Sequence, residues 1–121
     1  DGEINLLLAQ EVLKEFVHDK NKNFNASMIM KTIAGYFEIK VSDLKSKNRS
    51  RQISIPRQIS MYLCREYTKL SLPDIGRQFG GKDHTTVIFA HKKITKIVKE
   101  KGELTKTLNK LVGIIESGKT L

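Results

Sequence analysis

A single cysteine, Cys64, leaves the chain without the means to form an intramolecular disulfide, and a lone thiol suits a reducing compartment. It stands with Ile59, Tyr62, Leu63 and Tyr67 in a stretch of helical spacing, where it is expected to pack as a small apolar side chain. Histidine is scarce as well: His18, His84 and His91 are the only three, and no His/Cys/Asp grouping has the spacing of a metal centre. Long apolar runs are missing, the stretch Leu6 to Ala9 being far too short to span a bilayer. The amino terminus, Asp1-Gly2-Glu3, shows neither an initiator methionine nor a basic leader, so it does not read as a secretory signal, and the chain is expected to be a piece of a longer protein. Acidic side chains are the most telling shortage. Lys and Arg outnumber Asp and Glu by 22 to 13, a formal net charge of +9, which at this size points to a polyanionic partner: nucleic acid first, an acidic lipid surface second.

The 121 residues, 39% of them hydrophobic, suffice for one compact domain with a modest core and an appendage. Ile4 to His18 is apolar around much of a helical circumference through Ile4, Leu7, Leu8, Val12 and Phe16. A surface that large must pack on the domain, on a second copy or on a missing domain. The polar run Asp19 to Asn23 then divides a linker helix, residues 1–24, from a domain over residues 25–121. A second helix is expected from a cap at Asn25 or Ser27 to about Phe37, followed by one short helical turn at Ser42-Asp43-Leu44. Lys45 to Ser54 loses apolar periodicity and gathers Lys45, Lys47, Arg49 and Arg51, so it reads as a basic loop. Pro56 is expected to open the central helix in its first turn, where a missing N–H costs little, with Ile59, Leu63, Tyr67 and Leu70 as its buried seam. The last helix is expected from about Glu103 to Glu116, after Gly102 has ended the one before it. The sum is an all-α bundle of about six helices with an amino-terminal connecting helix.

Between these lies the stretch around which the chain is organised. Ser71-Leu72-Pro73-Asp74-Ile75-Gly76-Arg77-Gln78-Phe79 reads as a short helix with a serine cap and an early proline. Gly80-Gly81 allows a sharp turn, and Asp83 can cap a longer helix whose tip presents His84, Thr85 and Thr86. Val87, Ala90, Ile94, Ile97 and Val98 form the buried stripe behind that tip. Short helix, glycine turn, longer helix with a polar tip is the pattern of a helix-turn-helix.

The string Gly80-Gly81-Lys82-Asp83-His84-Thr85-Thr86-Val87-Ile88-Phe89-Ala90-His91 closely resembles the signature of the DnaA family of bacterial chromosomal replication initiators. Lys47-Asn48-Arg49-Ser50-Arg51, Pro56-Arg57-Gln58 and Ser71 to Gly76 resemble the same family's carboxy-terminal domain in order and spacing, and the likeness is continuous from about Ser27 to the end. Lys82 stands where the family more often has Arg, and Phe89 where it often has His. The resemblance implies a Trp-repressor-like helix-turn-helix, located in the bacterial cytoplasm on the nucleoid, that reads nine-base-pair asymmetric boxes in double-stranded origin DNA, one domain per box. It also implies that ATP and magnesium belong to a nucleotide-hydrolysing domain absent from these residues, that residues 1–24 join that domain to this one, and that further protomers assemble through the missing parts.

Phosphate contacts supply affinity and base contacts supply sequence preference. At the tip, His84 can donate to or accept from a base edge, Thr85 can place its methyl on a thymine methyl, and Asp83 can accept from a cytosine amino group. Local capping is the plainer role open to Asp83, Thr85 and Thr86. By resemblance, Asp83, His84 and Thr85 read bases, Arg49 enters the minor groove, and Leu72 and Pro73 meet a thymine, although Leu72 equally suits the core. Arg51, Arg57, Gln58, Arg65, Ser71, Lys82, Thr86 and Lys93 are expected at phosphates, Arg57 and Gln58 because a helix start suits an anion. Arg49 and Arg51 also fit a solvated charge run.

Three rivals are weaker. Catalysis by this chain is not expected: His84 and His91 lie two turns apart without a third ligand, and Gly80-Gly81-Lys82 lacks the spacing of a phosphate loop. The amino-terminal helix beside Lys20 and Lys22 suits acidic phospholipid. Duplex RNA has a groove too narrow for a helix.

Overall fold

The computed structural model of the chain describes residues 25–100 and 102–117; the linker helix expected within residues 1–24 lies outside them. Among the described residues there are six α-helices and no strand: α1 (Ala26–Phe37), α2 (Val41–Leu44), α3 (Arg51–Tyr67), α4 (Leu72–Gln78), α5 (His84–Lys99) and α6 (Glu103–Glu116). α3 is the hub and packs on α1, α2, α4 and α5, while α6 closes over α1 and α5.

Of the two cap candidates for α1, Asn25 takes the role, its side chain accepting the Met28 N–H at 2.8 Å. The helix ends as Glu38 turns left-handed with φ 57°, so that the N–H groups of Glu38 and Ile39 return to the Gly35 and Ala34 carbonyls. α3 starts more than a turn before its expected opening at Pro56. Ser50 is extended, and its carbonyl accepts the Ile53 and Ser54 N–H groups at 3.0 and 2.7 Å, which sets the helix going at Arg51. Burial of Ile53 rewards that early start, and Pro56 sits inside the helix. The proline deprives only the Gln52 carbonyl of its helical partner, and Gln52 is exposed to water. The basic loop is correspondingly shorter. At the other end of the bundle, α5 stops at Lys99, and Gly102 is the cap residue of α6 rather than the end of α5.

α4 has seven residues, too few to hold itself in water. Ile75 and Phe79 are wholly buried, each contributing roughly 1.5–3 kcal/mol, and this packing fixes the helix against α3 and α5. Ser71 Oγ caps it from the Asp74 N–H at 3.2 Å, and Arg77 pairs with Asp74 one turn on. Along α5, Val87, Ala90, Ile94 and Val98 are buried as the spacing predicts, and Ile97 is half-buried. Cys64 is fully buried in α3, and burial pushes its thiol up to about 12.

The turn from α4 to α5 is gathered on one oxygen. The Gly76 carbonyl accepts the N–H groups of Phe79, Gly81 and Lys82 at 3.1, 3.1 and 2.8 Å. A Cβ on Gly76 would lie 2.0 Å from the Lys82 carbonyl oxygen, and one on Gly80, where φ is +86°, would lie 2.2 Å from that of Lys45. Gly76→Ala is therefore expected to destabilise the domain by about 3 kcal/mol, because backbone rather than a flexible side chain would have to move. Gly113→Ala, in open space on α6, is expected to stabilise it by about 0.5–1 kcal/mol. Urea melts of the two variants check the contrast.

Candidate nucleic-acid interface

The tip of α5 is built as its sequence requires. Asp83 is extended and caps the helix, Oδ1 lying 3.0 Å from the Thr85 N–H and also 3.0 Å from His84 Nδ1. Hydrogen bonds from the Thr85 N–H above all, then the Thr85 side chain and the nearby His84, hold the Asp83 carboxyl below the usual carboxylate range. Asp83, His84, Thr85 and Thr86 are all exposed. His84 turns Nδ1 to the Asp83 carboxylate, which leaves Nε2 as the ring nitrogen for an outside partner.

The loop between α2 and α3 is held by two cations. Arg57 Nε donates to the Leu44 carbonyl at 2.9 Å, Nη1 to Asn48 at 2.8 Å, and Nη2 to Asp43 at 3.0 Å and to Ser46 Oγ at 3.3 Å. Lys82 Nζ donates to the Ser46, Phe79 and Lys45 carbonyls at 2.7, 2.9 and 3.3 Å. The resemblance places both side chains at phosphates; in the structure their donors face the chain's own backbone and the Ser46 hydroxyl. Arg57 is only 7% exposed and lies more than a turn inside α3, so the helix-start argument for it no longer applies. Burial lowers the pKa of each, with Arg57 and Lys47 adding repulsion at Lys82.

Arg49, Arg57, Gln58, Lys82, Asp83 and Thr86 line one cleft between the loop, α3 and the tip of α5. Arg49 is exposed there; Gln58 is half-buried, and its Oε1 has no hydrogen-bond partner among the described residues. Arg51 is exposed at the first residue of α3, whose cap residue Ser50 makes no side-chain cap bond, leaving amino-terminal N–H groups open to an anion. Arg65 is exposed in the last turn of α3, Lys93 on α5, and Pro73 near the start of α4; Ser71 is that helix's cap. Leu72 is half-buried and packs against the core. Sequence reasoning missed Lys47 and Phe89 as lining residues of the cleft. Phe89, 63% exposed, follows Thr86 by three positions on the same helical face, and that spacing was the available signal.

Two helices joined by a glycine turn, the second with a polar exposed tip beside an arginine loop, define a helix-turn-helix domain. The family described as bacterial dnaA protein helix-turn-helix matches residues 26–94, and the chain belongs to it. The chain is 48% identical to the chromosomal replication initiator protein DnaA of Geobacter metallireducens over 108 residues, 89% of this chain and 24% of that protein. It is 48% identical to the protein of the same name from Lactiplantibacillus plantarum over 111 residues, 92% of this chain and 24% of the relative. With that of Geobacter sp. strain M21 it shares 51% over 94 residues, 78% of this chain and 20% of the other. The chain thus spans about a quarter of the length of these relatives.

Because the Asp83 carboxyl is depressed on folding, its contribution is complete above the ordinary carboxylate value, about 4, and is lost as pH falls through the lower folded value. Asp83→Asn caps without titrating. The excess in Tm of the wild type over Asp83→Asn is expected to narrow as the pH of a melting series falls from neutral to below that value, and a constant excess would contradict the assignment.

Proposed function

We propose that this domain binds double-stranded origin DNA sequence-specifically and thereby serves the initiation of chromosomal replication. The observation that carries the reading is the single cleft shared by Arg49 and the tip of α5. Base-reading and phosphate-binding groups must approach a duplex from one side, and this cleft presents them together on a chain of net charge +9. The relatives' printed name, chromosomal replication initiator protein, supplies the process.

In this reading α5 enters the major groove by its Asp83 end. The Asp83 carboxylate accepts from a cytosine amino group, and His84 turns Nε2 to a base edge. Thr85 sets its methyl against a thymine methyl, and Thr86 bonds a phosphate. Arg49 occupies the adjoining minor groove, where negative potential favours a guanidinium. Arg51 with the open amino terminus of α3, Lys47 and Lys93 neutralise phosphates, and Phe89 lays its ring on the sugar edge beside the tip. One recognition helix and one loop make a footprint for one domain per asymmetric nine-base-pair box, in the cytoplasm where the chromosome lies. The lipid-binding alternative rests on residues 1–24, which lie outside the described residues.

Fluorescence anisotropy with a box duplex and a scrambled duplex of equal length, over a salt series, tests this. If about six phosphates are neutralised, log affinity is expected to fall against log salt with a slope of about −5 on either DNA. Arg49→Ala is expected to weaken the box about tenfold or more and the scrambled duplex far less, whereas Arg51→Ala weakens both alike. Equal affinity of the wild type for the two duplexes would overturn the proposal.

A further inference from the structure

We propose that Lys82 is a positioning residue for the arginine loop, holding Arg49 at a fixed place relative to the tip of α5 and so setting the register between the two groove contacts. The inference rests on the reading of Arg49 just given. Lys82 lies between Gly81 and the cap residue Asp83, so its backbone is part of the tip, while its ammonium reaches the loop across more than thirty residues of sequence. An ammonium has three protons, and the Ser46, Phe79 and Lys45 carbonyls match all three. Two of the three protons hold the loop and the third ties the ammonium to the end of α4, so none is free for a phosphate while this arrangement stands.

From Ser46 the hold passes along the loop in short steps. Ser46 Oγ donates to the Asp43 carbonyl at 2.7 Å and lies 3.2 Å from the Asn48 N–H, whose side chain in turn accepts the Ser50 N–H at 2.8 Å. Arg49 sits between those last two. Arg57 grips the same segment from α3, so carbonyls of residues 43 to 46 and of Asn48 all face a cation. Carboxylates could pin a loop equally well by its N–H groups, but they would cancel the positive field that Lys47 and Arg49 present. Cations fix the loop and add to that field.

A direct phosphate contact by Lys82 and a positioning role make opposite demands on a double-mutant cycle, because independent contacts add and coupled ones do not. Affinities for the box and scrambled duplexes are measured for the wild type, Lys82→Met, Arg49→Ala and the double variant, with circular dichroism checking helicity. Arg49→Ala is expected to cost about tenfold on the box in the wild type but less than about threefold in Lys82→Met. Lys82→Arg, which keeps donors within reach of the carbonyls, is expected to restore the full cost. Limited trypsin digestion is expected to cut after Lys47 and Arg49 several times faster in Lys82→Met, and Lys82→Gln replaces it if the Met variant loses helicity. An undiminished cost of Arg49→Ala in the Lys82→Met background overturns the inference. Should Arg49→Ala cost nothing in the wild type, the groove assignment fails instead, and unchanged trypsin cleavage would then overturn the hold by Lys82 as well.

Discussion

The close approach of backbone to backbone at the α4–α5 turn is the constraint from which the rest follows. Gly76 lies so near the Lys82 carbonyl, and Gly80 so near that of Lys45, that no side chain fits at either place. This contact brings the turn, the loop and the cap of α5 within reach of one another. Only then can a lysine one residue before the cap donate to loop carbonyls, and only then does an arginine from α3 find its acceptors in the same segment. Neither cation has a carboxylate partner among the described residues. Three backbone carbonyls and the Ser46 hydroxyl offset the desolvation of Arg57, and four bonds in fixed geometry are what makes that tolerable.

Packing supplies the frame on which this polar arrangement sits. α3 is clamped between α1 and α5, and its buried Ile59, Leu63 and Cys64 leave its outer surface to Arg51 and Arg65. α5 divides its length between two duties. Its apolar stripe anchors it through Val87, Ala90, Ile94 and Val98, so its first turn is rigidly supported although every residue from Asp83 to Thr86 is exposed. A reading head of this kind needs stiffness behind it and freedom from protein contacts in front.

Much of this was legible in the sequence because it obeys local rules. Asn25, Ser71 and Asp83 cap where short polar side chains cap, and the last helix runs from Glu103 to Glu116 as its periodicity demands. The misplaced start of α3 also has a local cause. Proline suits a helix's first turn, but Ser50 opens this helix earlier and the proline loses just one bond, to a carbonyl that water can reach. What stayed hidden is the long-range part. Nothing in the spacing of Arg57 or Lys82 tells that their partners are carbonyls of the loop from Asp43 to Asn48, because charge on a basic chain reads the same whether it faces solvent or the chain's own backbone. The likeness to a known family pointed to the interface but carried no word of the backbone that these two residues hold.

The buried thiol of α3 bears on how such a molecule can be measured. Cys64 is shielded by the core and keeps its proton far above neutral pH, so it is a poor target for maleimides and oxidants while the fold is intact. A cysteine introduced at an exposed position is then the one reactive sulfur on the surface. Dyes or spin labels can be mounted on the loop and on α5 without first stripping out a native group, and the separation between the two halves of the cleft can be followed directly in solution.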